Sequence, residues 1–340
     1  MKINYRLNTA KLAGIRDEAA WAESMGFDGV CSNETAHDSF IPLSLAATST
    51  SKVKLETRVA IAFPRSPMIT SYLARDINEL SEGRFRLGLG TQVKGHIERR
   101  FSTKWESPSK KLKEYISSIR AIWNSWQTDE KLNYEGEFYN FSLMTPFFSP
   151  GKSELPDPEI FTAAVNNYNC RVAGEVSDGL MLHTLTSPEY VRDVVIPNVQ
   201  KGEARTSLAK PKTKITGGGF IVAGPNKAAI TDMMPSLKMR IGFYSSTRTY
   251  APVLETHGLE EMGPILHKLS TEQKWDEIQA MVTDEMVNAF SVIGEYDEIA
   301  DLFHQKYSGL LDEVNLSFFN DTYPDDQTLQ NIVSRFHELS

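Results

Sequence analysis

Short apolar runs alternate along the whole chain with stretches whose apolar residues recur every three or four positions. Residues 3–7 read as a first strand, and Leu12, Ile15, Ala19 and Ala22 then fall at helical spacing. Gly26 ends that helix, because glycine accepts the positive φ of a helix C-terminus, and Phe27-Asp28-Gly29-Val30-Cys31 follows as turn and strand. The same grammar returns twice. Val172, Ala173 and Val176 lead through Ser177-Asp178-Gly179 into Leu180-Met181-Leu182-His183, and Gly309-Leu310-Leu311-Asp312 leads into a strand over 314–318. Further apolar runs at 53–61, 85–90, 160–165 and 215–222 bring the strand count to eight. Helical stripes lie between them: Ile69, Leu73, Ile77 and Leu80; Leu112, Tyr115, Ile119, Ile122 and Trp126; and Val191, Val194 and Val195 ahead of Pro197.

Strands buried on both faces read as continuous apolar runs, as these do. Eight β/α alternations in 340 residues predict an α/β fold, a closed (β/α)₈ TIM barrel, folded as one domain over residues 1–340. Two stretches break the rhythm. Residues 127–158 carry a hairpin pattern around Tyr134-Glu135-Gly136-Glu137-Phe138 and a proline-rich loop. Residues 224–291 hold more helix than one βα unit needs, with Ser270-Thr271-Glu272-Gln273 as a capping box before Trp275. Both are expected as insertions on the C-terminal face of the strands.

Composition narrows the classes. There are 36 Lys+Arg against 44 Asp+Glu, a net charge of −8, which argues against general affinity for nucleic acid or an anionic membrane. Cys31 and Cys170 are the only cysteines, so neither a disulfide scaffold nor a zinc motif is expected. No apolar run reaches the roughly 18 residues of a membrane span, and no signal-peptide pattern opens the chain. The expectation is a cytoplasmic protein.

In a barrel of this kind the chemistry lies at the C-terminal strand ends. After the second strand come Glu34, His37 and Asp38, an acid/base set if a carboxylate fixes the imidazole, or simply a polar loop. His183 ends the sixth strand and reads either as a pocket residue or as a buried histidine bonded to backbone. His96 with Glu98, Arg99 and Arg100 reads as a solvated helix start. No histidine pattern builds a metal site, so no metal is expected. Gly88-Leu89-Gly90 would let a flat ligand approach its strand end; Gly217-Gly218-Gly219 reads the same way or as a bend in the wall. Asn166-Asn167-Tyr168-Asn169 opens a helix toward the same face, where free amides favour an anion.

These residues resemble a known family. Arg58-Val59-Ala60-Ile61-Ala62-Phe63-Pro64-Arg65-Ser66-Pro67-Met68 is similar to the third-strand signature of luciferase-like monooxygenases. Glu82-Gly83-Arg84-Phe85-Arg86-Leu87-Gly88-Leu89-Gly90 resembles their fourth strand, and Ala173-Gly174-Glu175-Val176-Ser177-Asp178-Gly179-Leu180 their fifth helix and sixth strand. The run from Thr91 through Arg100 to Phe101 is similar to a subgroup of coenzyme F-420-dependent oxidoreductases, as are the stretches around Pro146 and Tyr244. The resemblance implies a flavin-type cofactor, preferably coenzyme F-420, a 5-deazaflavin, with FMN as the alternative. It implies a non-prolyl cis bond at Arg58–Val59 behind the ring, Ile61 lining the ring, and Gln92 at its pyrimidine side. Ala164, Val165, Asn166, Asn167 and Tyr168 would hold the cofactor phosphate, and His37 with Glu34 would serve catalysis. Two departures stand out: Asn166-Asn167 replaces the Gly-Pro or Gly-Gly of many relatives, and Val93 stands where sugar-oxidising members carry a Glu. The implied activity is hydride transfer between C5 of the deazaflavin and a small organic substrate. The alternatives are an FMN monooxygenase fed by a partner reductase and a non-catalytic flavin-binding protein. A homodimer is the implied assembly.

Overall fold

A computed structural model describes residues 1–339. Its strands are β1 (Lys2–Arg6), β2 (Gly29–Ser32), β3 (Lys54–Thr57), β4 (Ala60–Ile61), β5 (Phe85–Gly90), the hairpin β6 (Tyr134–Glu135) and β7 (Asn140–Phe141), β8 (Glu159–Ala163), β9 (Gly179–Met181), β10 (Lys214–Gly217), β11 (Phe220–Gly224), β12 (Ser291–Glu295) and β13 (Glu313–Leu316). Parallel pairing runs β3-β2-β1-β13-β10-β9-β8-β5, and β3 pairs back onto β5, so eight strands close into a (β/α)₈ barrel. Among the described residues no helix is long and apolar enough to cross a membrane.

The helices that matter below are α1 (Ile15–Ser24), α2 (Phe40–Ala47), α3 (Pro67–Leu80), α4 (Lys94–Arg99), α5 (Pro108–Thr128) and α6 (Asn167–Val176). Two of them, α3 and α6, start at a side-chain cap. Ser66 Oγ accepts the Met68 N–H ahead of Pro67, and Asn166 Oδ1 accepts the Asn169 N–H. The stripe at 112–126 faces inward, burying Leu112, Tyr115, Ile119, Ile122 and Trp126, whereas in α3 the expected stripe is turned: Ile77 is buried with Thr70, Ser71, Ala74 and Asn78, and Ile69 and Leu80 are exposed.

The threefold grammar of helix, turn and strand has a structural cause. In each copy an aspartate precedes the strand and binds one residue of the neighbouring strand twice. The N–H of Asp28 donates to Ile3 O and its carboxylate accepts the Ile3 N–H, both at 2.8 Å. Asp178 does the same with Ile160, and Asp312 with Ile215, all within 2.7–2.8 Å. Each pair satisfies backbone groups at the N-terminal rim that no ladder reaches, and so fixes strand register.

The barrel interior departs from the expected apolar filling. Arg86 on β5 points inward over the Phe161 ring and donates to Glu56 at 3.0 Å, to Glu313 at 2.6 and 2.9 Å, and to Glu159 at 3.1 Å. Glu56 also accepts from Arg58 at 2.7 Å, Glu159 from Lys214 at 2.7 Å, and Glu313 from Asn4 at 3.2 Å. Three cations and three carboxylates thus fill the lower layer. Burial pushes the Glu313 carboxyl up, but the hydrogen bonds and charge of Arg86 outweigh it and hold the group below the usual carboxylate range. Glu159 is held down in the same way by Arg86 and Lys214.

Three expectations are corrected. The 53–61 run is two strands, interrupted at Arg58–Val59, whose peptide bond is cis. The 215–222 run is also two, because Gly217 and Gly218 take positive φ (141° and 127°) and turn β11 out of the barrel onto β12, a strand the pattern did not announce. The expected helix does begin at Trp275, but residues 270–273 do not cap it: the Ser270 and Thr271 hydroxyls bond back to His267 O and Lys268 O in the last turn of a preceding helix. The 127–158 segment brings its hairpin beside the C-terminal strand ends, where Lys111 Nζ lies 6.0 Å from the Tyr139 ring and 5.3 Å from the Phe63 ring just after β4. It follows a helix rather than a strand, and it packs along α5, where the Glu114 carboxylate accepts the N–H groups of Glu137 and Phe138.

The charged layer yields a prediction. Arg86→Met leaves three carboxylates facing one another and lowers stability by about 3–5 kcal/mol at neutral pH. Because Glu313 and Glu159 are depressed, their stabilisation is present above the ordinary carboxylate range and is lost as pH falls below it. The difference between wild type and variant, measured as urea midpoints, therefore shrinks below about pH 4.

Candidate active site

The register lines up the residues that the sequence singled out. Ile61 lies beside Gly90, Leu89 beside Thr162, and Ala163 beside Met181, so the C-terminal ends of β4, β5, β8 and β9 form one arc at the barrel mouth. Ile61, Gln92, Ala164, Val165 and Asn166 follow one another around it. Gln92 takes positive φ (58°) and its Oε1 accepts the Val93 N–H at 2.9 Å. Ala164 is buried, with its N–H on Met181 O at 3.3 Å. The Val165 carbonyl accepts from the Tyr190 hydroxyl. Asn166 caps α6, while Asn167 and Tyr168 are exposed at its first turn.

The glycines on this arc serve the wall rather than a ligand. A Cβ at Gly88 would run into the Thr57 carbonyl, and one at Gly90 would lie 2.6 Å from Val59 Cγ2. The space above both is filled by the chain that breaks between β3 and β4. A Cβ at Gly217 would lie 2.8 Å from that of Leu182, so that glycine run is a bend in the wall. Arg58, expected at the cofactor, sends its side chain across the barrel to Glu56 and to Thr216 Oγ1 at 3.1 Å.

Glu34, His37 and Asp38 do not assemble as an acid/base set. The Glu34 side chain is 7% exposed and grips Arg65 with both oxygens at 2.9 Å, while also accepting the Ile61 N–H at 2.8 Å. Arg65 donates further to Ile61 O at 3.0 Å and to Asp38 at 2.5 Å. Burial works against the Arg65 charge, but the two carboxylates outweigh it and hold the guanidinium protonated. Both acids are therefore spent on clamping the β2 loop to β4. His37 projects into solvent, and no hydrogen bond or ion pair to it is found among the described residues.

The opposite side of the mouth was not foreseen. A cavity of about 170 Å³ lies among Arg6, Arg58, Phe220, Tyr244, Asn315 and Phe318. A second cavity, of about 550 Å³, adjoins it and shares Arg6, Arg240 and Asp321. Of the residues expected to bind a cofactor, only Arg58 lines the first, and none lines the second. His183 stands at the rim between Tyr244 and Tyr250, with ring centroids 4.4 and 4.7 Å away. Its Nδ1 accepts the Leu185 N–H at 3.0 Å, which assigns the proton to Nε2. Burial pushes this imidazole down to about 4, so it is neutral. Arg6 ends β1, and the rule that strand ends carry the chemistry would have found it.

This architecture matches known proteins. An uncharacterized protein of Mycobacterium tuberculosis is 38% identical over 304 residues, 89% of each chain. The 5,10-methylenetetrahydromethanopterin reductase of Archaeoglobus fulgidus is 25% identical over 292 residues, 84% of this chain and 83% of that one. Among solved structures, the coenzyme F420-dependent tetrahydromethanopterin reductase of Methanopyrus kandleri superposes with a TM-score of 0.77 at 16% identity, over 99% of this chain and 98% of that one. The family model for luciferase-like monooxygenases matches residues 3–313, and with the fold and mouth described above the chain belongs to that family.

Proposed function

We propose that the protein is an oxidoreductase that transfers hydride between a 5-deazaflavin, coenzyme F-420, and a small organic substrate. The observation that carries this reading is the single arc of Ile61, Gln92, Ala164 and Asn166 at adjacent strand ends, in a chain of this family. The donor set fits a planar heterocycle with a phosphate. Half-buried Val59 offers apolar surface to a ring, with the buried Ile61 and Ala164 behind it, and the Gln92 amide offers a polar edge group. The N-terminus of α6, with Asn167 and Tyr168 exposed, favours a phosphate. When bound, the deazaflavin would give or take hydride at C5.

The protein's own residues would do the rest. Glu34 and Arg65 hold the Ile61 backbone in place through its N–H and its C=O. Hydride added to an unsaturated centre leaves a neighbouring atom that needs one proton, and the reverse reaction releases one. His37, unpartnered at the rim, is the group assigned to that exchange. His183, neutral between two tyrosines, closes the other side. The homodimer is part of the proposal: Ile41, Ile69, Phe147 and Phe148 expose apolar surface on and beside α2 and α3, and light scattering is expected to give twice the chain mass.

Two measurements follow. Fluorescence titration should show saturable binding of coenzyme F-420 and much weaker binding of FMN; tight FMN binding with no F-420 binding would convert the reading to a flavin monooxygenase. Asn166→Ala should weaken F-420 binding through loss of the α6 cap. The second concerns His183. The unfolded chain takes a proton there below about pH 6.5, whereas the folded site resists until about 4. Stability is therefore lost as pH falls through that window. Urea midpoints at pH 7, 5.5 and 4.5 should fall less for His183→Phe than for wild type.

A further inference from the structure

Among the described residues two cations border the mouth cavities with no anion, Arg240 on both and the exposed Lys11 on the second. Arg6 is paired with Asp321, and Arg58 with Glu56. Glu18, which lines the second cavity, is occupied by the Tyr5 hydroxyl and the Asn8 N–H, both at 2.9 Å. Arg240 borders both cavities, yet no carboxylate pairs with it among the described residues; its guanidinium carbon lies 5.9 Å from the centre of the Phe319 ring. In a chain of net charge −8 with acids to spare, an unpaired guanidinium at the active rim points to an anion from outside.

Arg240 also borders a third cavity, of about 490 Å³, whose remaining wall is Met239, Phe243, Tyr244 and Trp275. Arg240, Phe243 and Tyr244 belong to the helix Lys227–Ser245 at i, i+3 and i+4, so they share one face. Trp275 opens the helix Trp275–Met281, and its ring lies 6.2 Å from that of Phe243. Phe243 is 46% and Trp275 37% exposed, an unusual cost for two large aromatics unless something covers them. Tyr244 joins this groove to the mouth, because it lines the first cavity as well and touches His183.

We propose that the Met239, Phe243 and Trp275 groove with Arg240 is a substrate subsite, and that the substrate is an organic carboxylate with an apolar body. The apolar part lies in the groove and the carboxylate meets the guanidinium, which keeps the body next to Tyr244 and the mouth. This rests on the oxidoreductase reading of the mouth. The cofactor's phosphate is the other anion that Arg240 could take, and the test separates the two.

Straight-chain alkanoates of four to ten carbons and their primary amides are titrated against the full-length protein by calorimetry, with and without coenzyme F-420. Carboxylates are expected to bind about tenfold or more tighter than the amides. Affinity should rise about two- to fourfold per methylene. Arg240→Gln should erase the acid-over-amide preference and leave the chain-length trend; Phe243→Ala with Trp275→Ala should flatten the trend and leave the preference. Equal binding of acid and amide by the wild type overturns the proposal. So does an Arg240→Gln variant that loses F-420 affinity while keeping its alkanoate preference, since the arginine then serves the cofactor. Intact alkanoate discrimination with no F-420 binding upholds the subsite and removes the cofactor reading instead.

Discussion

The guanidinium of Arg86 is the fixed point of this barrel. It lies in the low-dielectric interior and is compatible with folding only because Glu56, Glu159 and Glu313 surround it from three other strands. Buried charge of this kind is a poor source of net stability but a strict condition on register. A one-residue slip of β3, β8 or β13 would turn a carboxylate out of the barrel and leave the arginine bare. The layer also reaches the site. Glu56 holds Arg58, and Arg58 borders the mouth cavity, so the position of the break between β3 and β4 follows from the charges beneath it.

The aspartate pairs at Asp28, Asp178 and Asp312 set the lower rim, and they explain why the fold was legible in the sequence. A repeated turn with an acid before a strand is a local signal, and so is the apolar stripe of α5. What the pattern hid was non-local. Arg86 sits inside an apolar run, and nothing near it announces that its partners lie 30, 73 and 227 residues away. The β11–β12 pair was hidden for a different reason: β12 carries Gly294 and Glu295 and is only five residues long, too short and polar to stand out.

The site was legible in part. The resemblance indicated where to look, and the register places Ile61, Gln92, Ala164 and Asn166 along one arc. The partner of Glu34 and Asp38 was hidden because Arg65 lies 27 to 31 residues away, and a carboxylate beside a histidine in sequence need not face it in space. Once Arg65 is seen, the same residues become a brace for the Ile61 backbone, and His37 is left as the exposed imidazole of that loop.

The two sides of the mouth are built differently, and this separates their duties. The arc of β4, β5 and β8 belongs to the barrel wall and is tied to the Arg86 layer through β3 and β5. The helix that carries Arg240 and Tyr244 follows β11, which leaves the wall at Gly217-Gly218 and pairs with β12 instead. A substitution on that helix is therefore transmitted to a two-stranded annex and not to barrel register. Residues that must meet a shared cofactor are best placed on the wall, where geometry is over-determined. Residues that must suit one particular substrate are best placed on the annex, where Met239, Phe243 and Trp275 can change without disturbing the closed sheet.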